Sequence, residues 1–532
     1  MFYLLLILLW FIRETKAILF WLYFWQLKEY HIGRAIDHFR TQKGKNLIFN
    51  LRNFLVIFLF AISFSSDYFL LSFLMIIALY SLESFRFLYN LFLKRAKKPV
   101  LTIKSLFLFS FLILVTGTYF FKVFSDKFFI SWFLAFDILT PFIVSFVVLS
   151  LQPLTMFLRN RIIKKAKKKR EKFKNLLVIG VTGSYGKTST KEFLYEILSK
   201  KFNVLKTEKH QNSEIGIANC ILNKLKKEHE IFIVEMGAYN RGGIKMLCEM
   251  VKPKIGILTG INEQHLATFG SIENIIKTKY ELIESLPEEG TAILNGSNKI
   301  IWDLRDRIKN QKLKKVIFCS ENNQEANIFA ESVQEEKNNL LFNVSSEGKS
   351  QVFNLQLLGR QNIENVLLAI SCSQILGMQL EEISYICKNI SEIPGMMKLS
   401  KGINDIDLIE STYSANPDGV MAHLNYLKQW SGEKIIVMPC LIELSQVSSE
   451  KHIMIGEKIG EVCDFAIITT KDKIKEIKKG VLKKGMKENH LLFIESPDKI
   501  YQKVKDLTQE GGVVLLEGKL PARLIKLLKD EV

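Results

Sequence analysis

The chain has 532 residues, with 73 Lys and Arg against 54 Asp and Glu, 48% hydrophobic residues and 39 Phe. That length excludes a single small module and predicts about three domains. Residues 1–158 hold 28 of the Phe and 16 basic against 7 acidic residues, and residues 159–174 hold 10 basic residues against Glu171 alone, so the rest is nearly neutral and a nucleic-acid footprint spread over a soluble domain is excluded.

Four apolar stretches come first, Phe2–Trp25, Phe54–Leu82, Leu106–Phe121 and Phe128–Leu151, with lengths that suit bilayer crossings. Arg13, Glu14 and Lys16 interrupt the first, which either crosses with snorkelling ends or lies partly in the interface, and its start lacks the basic leader of a signal peptide. Lys and Arg are retained on the cytoplasmic side, so the basic segments Lys28–Arg52, Lys94–Lys104 and Arg159–Lys174 are expected to face the cytosol. Phe54–Leu82 must then enter and return with a turn at Ser65-Ser66-Asp67, and Leu106–Leu151 must form a hairpin turning near Asp126-Lys127. About five crossings result if the first stretch spans. Residues 1–158 therefore read as a multi-pass α-helical membrane domain, and 159–174 as a basic cytosolic linker resting on anionic lipid. Asp137, isolated among apolar residues, points to a polar lumen or a partner helix.

From Asn175 short β-rich runs alternate with helical stretches: Leu176–Val181, Lys187–Lys200, Phe202–Lys206, Glu214–Lys226 and Ile231–Glu235. This is α/β with a mostly parallel sheet. Seven cysteines follow, Cys220 the first, without C-x-x-C pairs or metal-type spacing, and they are expected as reduced, mostly buried thiols. The first strand runs into Gly180-Val181-Thr182-Gly183-Ser184-Tyr185-Gly186-Lys187-Thr188-Ser189-Thr190 and then a helix. Glycines let backbone N–H groups turn onto phosphate oxygens, Lys187 neutralises β/γ charge, and the Thr188 hydroxyl is a ligand for Mg²⁺. The common Walker spacing would place its first glycine at Val181.

The string TGSYGKTST resembles the central ATPase domain of the Mur ligases, the amide-forming enzymes of cell-wall peptide synthesis. Ordered motifs extend the resemblance over about residues 175–532: Asn212-Ser213-Glu214-Ile215-Gly216, Val234-Glu235-Met236-Gly237-Ala238, Asn262-Glu263-Gln264-His265-Leu266, and Thr278-Lys279-Tyr280-Glu281. Gly359-Arg360-Gln361-Asn362-Ile363-Glu364-Asn365 is similar to the family's G-x-H-N-x-x-N, with Gln361 in place of histidine. Glu410-Ser411-Thr412-Tyr413-Ser414-Ala415-Asn416-Pro417 is similar to the D-D-S-Y-N-A-N-P signature of the MurF branch, which adds D-alanyl-D-alanine.

The resemblance implies a central P-loop domain over 175–397 and a smaller, Rossmann-like α/β domain over 398–532. It implies an ATP-dependent ligase working through an acyl phosphate, in which Lys187, His265 and Lys279 are catalytic. Thr182, Gly183, Ser184, Tyr185, Gly186, Lys187, Thr188, Ser189, Asn295 and Asn362 would bind ATP. Thr188, Glu235 and His265 would hold Mg²⁺, as two ions, while Asn212, Tyr413 and Asn416 would face substrate. Lys279 matches the lysine that the family carbamylates. On the residues alone it is a solvated lysine of the helix Ile272–Leu286, and a carbamate requires a pKa low enough to expose a neutral amine.

The expected partners are a nucleotide- or lipid-linked muramoyl peptide, an amino acid or dipeptide, membrane lipids and other cell-wall enzymes, with no nucleic acid. The expected location is the cytoplasmic membrane, with the α/β domains in the cytosol. Three departures bear on specificity. Gly395-Met396-Met397 stands where the family has Gly-Arg, Pro439-Cys440 replaces Gly-Asp before Glu443-Leu444, and Glu517-Gly518-Lys519 replaces Lys-Gly-Ser. Two alternatives stay open at this level: a related ligase with another, lipid-linked substrate, and a non-catalytic ATP-binding scaffold for cell-wall enzymes.

Overall fold

A computed structural model describes all residues except 1, 66–67, 209–210, 322, 391–396, 414 and 530–532. It divides into two compact units, Met1–Leu158 and Arg159–Val532.

The first unit is helical: α1 (Phe2–Leu27), α2 (Ile32–Arg40), α3 (Gln42–Ile48), α4 (Leu51–Ile62), α5 (Phe69–Phe92), α6 (Ile103–Val123), α7 (Phe129–Ser150) and the start of α8 (Gln152–Glu171). Of these, α1, α4, α5, α6 and α7 are apolar nearly all round, so they have two kinds of apolar face. Inside, Trp10 stacks on Phe133 with ring centroids 4.4 Å apart, and Leu6, Leu59 and Tyr80 are fully buried. Outside, Leu74, Phe121, Phe142 and Phe146 are more than half exposed, a surface suited to hydrocarbon rather than water. Among the described residues, four segments are long and apolar enough to cross a membrane: Gln42–Ile62, Leu70–Phe92, Ile103–Val123 and Phe129–Glu171.

Helix α1 is continuous through its three charged residues because the bundle pairs them. Arg13 meets Glu14 and Asp137, Tyr80 Oη donates to Asp137 Oδ2 at 2.5 Å, and Thr140 Oγ1 donates to Glu14 at 2.6 Å. Asp137 thus has its partner helix inside this chain. The second expected turn falls between α6 and α7, where Asp126 accepts the Phe128 N–H at 2.7 Å. In the first expected turn, between α4 and α5, Ser66 and Asp67 lie outside the described residues.

The second unit begins with the remainder of α8, which is helix rather than linker. Ala166 and Arg170 are buried, Ile162 and Ile163 pack on the core below, and Arg170 donates to the carbonyls of Val251 and Phe173 at 2.8 and 2.9 Å. A basic run thus also docks a helix, since its apolar residues recur at helical spacing.

Nine strands make the first sheet: β1 (Leu177–Thr182), β2 (Val204–Lys206), β3 (Ile231–Glu235), β4 (Ile255–Leu258), β5 (Thr291–Asn295), β6 (Lys315–Ser320), β7 (Ile328–Glu336), β8 (Asn339–Ser346) and β9 (Lys349–Leu355). Their order is β2-β3-β1-β4-β5-β6-β7-β8-β9. The strands up to β7 pair in parallel. β1 and β3 are almost wholly apolar and buried, as strands covered on both faces must be. β8 alternates between buried and half-buried residues and pairs antiparallel on both sides. The expected parallel sheet thus gains an antiparallel meander, whose last hairpin turns on Glu347-Gly348, both at positive φ, as a two-residue turn requires.

Helices α9 (Lys187–Leu198), α10 (Glu214–Lys224), α11 (Gly243–Val251), α12 (Leu266–Phe269) and α13 (Ile272–Glu284) connect these strands. A second sheet follows, of β10 (Lys398–Lys401), β11 (Asp407–Ser411), β12 (Lys434–Met438), β13 (Phe465–Ile468), β14 (Leu491–Phe493) and β15 (Val513–Glu517), in the order β10-β11-β15-β12-β13-β14. Only β10 is antiparallel to its neighbour. All seven cysteines are buried and free.

Candidate functional site

The site grows from the C-terminal ends of the central strands, where parallel sheets gather ligands. β1 ends at Thr182, and the chain turns through Gly183–Gly186 straight into α9. Gly186 caps α9 at φ +75°, and a Cβ there would lie 2.4 Å from Asn365 Oδ1. Only glycine lets the loop close against the helix Asn362–Ile375. Ser184, Tyr185, Gly186, Lys187, Thr188 and Ser189 line a cavity of about 430 Å³ beside the start of α9, whose free amides suit phosphate. Lys187 Nζ bends back onto the loop, donating to the carbonyls of Gly183 and Ser184 at 2.7 and 3.0 Å. Burial lowers its pKa, against the pull of Glu235.

Glu235 closes β3 beneath the loop. Thr188 Oγ1 and Asn212 Nδ2 each donate to its carboxylate at 3.0 Å, and Lys191 Nζ lies 3.3 Å away. Burial pushes this carboxyl up, but Lys191, Lys187 and the two hydrogen bonds outweigh it, and the pKa falls below the ordinary carboxylate value. An ionised carboxylate beside a threonine hydroxyl is a hard oxygen pair that fits Mg²⁺ completed by phosphate and water. Gln264 Oε1, on the cavity wall, is buried with no hydrogen-bond partner among the described residues, so the cavity offers an acceptor that a ligand can use. Lys191 was not among the expected residues. It is fully buried, and its position four residues after Lys187 on one helix was the available signal.

His265 heads α12 at φ +66°. Its Nδ1 meets Glu443 Oε2 in the second α/β domain, and its ring lies edge-on to Tyr239 at 5.2 Å. Burial lowers its pKa, Glu443 pulls it up, and Lys187 and Lys279 push it down. Lys279 is not solvated. It is 3% exposed on α13, and burial, aided by Lys187, brings its pKa down to about 7, with Glu281 opposing.

Further links join the two α/β domains across the cavity. Asn262 Nδ2 donates to Asn416 Oδ1 at 3.2 Å and Asp418 Oδ2 at 2.8 Å, while the Asn262 N–H donates to Ser184 Oγ at 3.2 Å. Lys451 pairs with Glu263 at 2.8 Å. Asn416 caps the helix Pro417–Tyr426, accepting the Gly419 N–H at 3.2 Å. Tyr413 lines the cavity; burial and Glu235 raise its pKa, and a hydrogen bond with Thr188 tempers the rise.

Not every expected residue reaches the cavity wall. The Thr182 hydroxyl is spent on the Met236 carbonyl at 2.9 Å, and Gly183 packs on Thr259. Asn362 lines the wall, with its Nδ2 donating to the Leu358 carbonyl at 2.8 Å. Asn295 is buried behind Glu364, to which it donates at 2.7 Å. Glu364 faces the cavity, and burial raises its pKa to about 7; it had been visible only as a variable position of the Gly359–Asn365 motif. Glu517, fully buried, pairs with His423 Nδ1 at 2.6 Å, which places the altered Glu-Gly-Lys segment behind a cavity-lining histidine. Gly395, Met396 and Ser414 lie outside the described residues.

Fold and loop together define a P-loop α/β protein whose second α/β domain is linked to the first across the phosphate loop. Residues 181–373 match the Mur ligase middle domain, and residues 397–520 match the domain described as Mur ligase, glutamate ligase domain. The chain belongs to the Mur ligase family. It is 29% identical over 280 residues to the UDP-N-acetylmuramoyl-tripeptide--D-alanyl-D-alanine ligase of Escherichia coli, covering 53% of this chain and 61% of that protein. The Synechocystis enzyme of the same name is 31% identical over 293 residues, covering 54% and 60%. The chain thus matches less than two thirds of the length of these relatives. MurF of Thermotoga maritima, solved in complex with ADP, shares the fold with a TM-score of 0.61 at 24% identity, over 70% of this chain and 84% of that one. Neither domain match reaches residues 1–158.

Proposed function

We propose that this chain is an ATP-dependent amide ligase that joins D-alanyl-D-alanine to the carboxylate of a muramoyl tripeptide, the activity named in its relatives. The observation that carries the reading is that Lys187, on the phosphate loop, lies within electrostatic reach of Glu235, His265 and Lys279. In the reaction the carboxylate oxygen attacks the γ-phosphorus and ADP leaves. The free amine then attacks the acyl carbon, phosphate departs, and the amine's proton passes to solvent.

The first step brings two anions together, so charge compensation dominates. Lys187 exchanges its two loop carbonyls for phosphoryl oxygens, and the amides of α9 hold the β-phosphate. Thr188 and Glu235 would hold Mg²⁺, which offsets the repulsion between carboxylate and phosphate. With Nδ1 engaged by Glu443, His265 keeps Nε2 as a lone pair for a second ion. Lys279 with a pKa about 7 exposes the neutral amine that a carbamate needs: the nitrogen bonds to CO₂ carbon and a proton is released. Tyr413, Asn416 and Asn212 line the face where the amine and carboxylate would meet.

The four candidate spans and the basic segments 28–52 and 94–104 support a location in the cytoplasmic membrane with the α/β unit in the cytosol. Phosphate release by the detergent-solubilised full chain tests the reading, with ATP, Mg²⁺, D-alanyl-D-alanine and either nucleotide-linked or lipid-linked tripeptide. Release with one acceptor, abolished by Lys187→Ala, is the expected result. ATP binding without release from either acceptor would overturn it.

A further inference from the structure

The helical unit contains a cavity of its own, about 750 Å³, at the end of the bundle where the second half of α1, the start of α4 and the end of α5 meet. Its floor is the buried ion network. Glu83 takes Arg52 Nε at 2.7 Å, Lys16 Nζ at 3.1 Å and Arg13 Nε at 3.5 Å, and Arg13 also meets Glu14 and Asp137. Each of these cations thus has a carboxylate partner. The rim differs: Arg86, Arg95 and Lys97 line the cavity and are exposed, and among the described residues no carboxylate pairs with them. The lining also includes the apolar side chains of Phe20, Trp21, Leu79 and Leu82.

Uncompensated arginines at the edge of a hydrocarbon layer are costly unless they meet water or an anion. Guanidinium groups match phosphate oxygens as a fork, and the apolar side chains beside them suit an aliphatic chain. We propose that this cavity binds an anionic amphiphile, a phosphate or diphosphate monoester of a long aliphatic chain, with Arg86, Arg95 and Lys97 on its phosphate oxygens and the chain along Phe20, Trp21, Leu79 and Leu82. This goes beyond the ligase reading, and its test uses no ATP, so either can fail alone.

The test is binding to the full chain in phosphatidylcholine nanodiscs, read by native mass spectrometry. Farnesyl diphosphate is compared with farnesol and inorganic pyrophosphate, and phosphatidylglycerol is added as competitor. Farnesyl diphosphate is expected to bind saturably, at least about tenfold more tightly than either fragment. Arg86→Gln/Arg95→Gln/Lys97→Gln should weaken it by at least about tenfold, while Arg86→Lys/Arg95→Lys retains most of the affinity. Ala17→Phe, which fills the wall, should weaken farnesyl diphosphate but not pyrophosphate. Equal binding of pyrophosphate would reduce the cavity to a free-anion site, and equal binding of farnesol to apolar partition. Either result overturns the proposal, as does equal competition by phosphatidylglycerol or full affinity in the triple glutamine variant.

Discussion

Lys279→Met keeps the length of the side chain and removes its amine, and the surroundings of Lys279 dictate how the effect varies with pH. The residue is 3% exposed, and burial with Lys187 nearby lowers its pKa from 10.5 to about 7. Below pH 7 the amine is protonated in both the folded and the unfolded chain, and the native state bears the whole penalty, about 5 kcal/mol at about 1.4 kcal/mol per pH unit. Between pH 7 and 10.5 the folded chain binds fewer protons than the unfolded one, so native stability rises with pH and the penalty shrinks to about 2 kcal/mol at pH 9. Methionine bears none of it. Lys279→Met should therefore stabilise the α/β unit strongly at pH 6 and much less at pH 9, while abolishing ligase activity. The assay is urea unfolding of the detergent-solubilised full chain, followed by hydrogen exchange of peptides from α13. Bicarbonate and nucleotide are left out so that the amine stays unmodified. A gain that is independent of pH, or larger at pH 9, would refute the burial argument.

Glu443→Gln removes the charge that holds His265 and raises its pKa, so the imidazole should lose its proton at a still lower pH. The acid limb of kcat/KM is expected to move to lower pH and kcat to fall by about tenfold or more as the ring loses its orientation; an unchanged profile would separate Glu443 from the site. Asp137→Asn takes one carboxylate from the buried Arg13 cluster, and breaking such a pair costs about 3 kcal/mol or more. A lower Tm in detergent should result, with Arg13→Met/Asp137→Leu recovering much of the loss. A double variant as unstable as the sum of its parts would argue against direct pairing.

Some of this protein was legible in short stretches of chain. The Lys187 helix start, the strand ending at Glu235 and the apolar helices after Phe54 depend on local spacing and composition, which act over a few residues. The meander of β7–β9 was less legible, because antiparallel pairing depends on which strands meet in the sheet, although Glu347-Gly348 carries the turn chemistry. At 159–174 the charge dominates the sequence, whereas the few apolar residues at helical spacing dock the segment to the α/β core.

Local sequence dictates the glycine-rich loop ahead of the Lys187 helix and the segments that prefer hydrocarbon, because glycine conformations, helix starts and side-chain polarity are properties of neighbouring residues. Which charges meet is set by packing. Arg13 finds Asp137 and Glu83, His265 finds Glu443, and Asn295 lies behind Glu364. The pKa of Lys279 belongs to the same category. Burial and the approach of distant charges set the strength of each electrostatic interaction, and both exist only once the chain has packed.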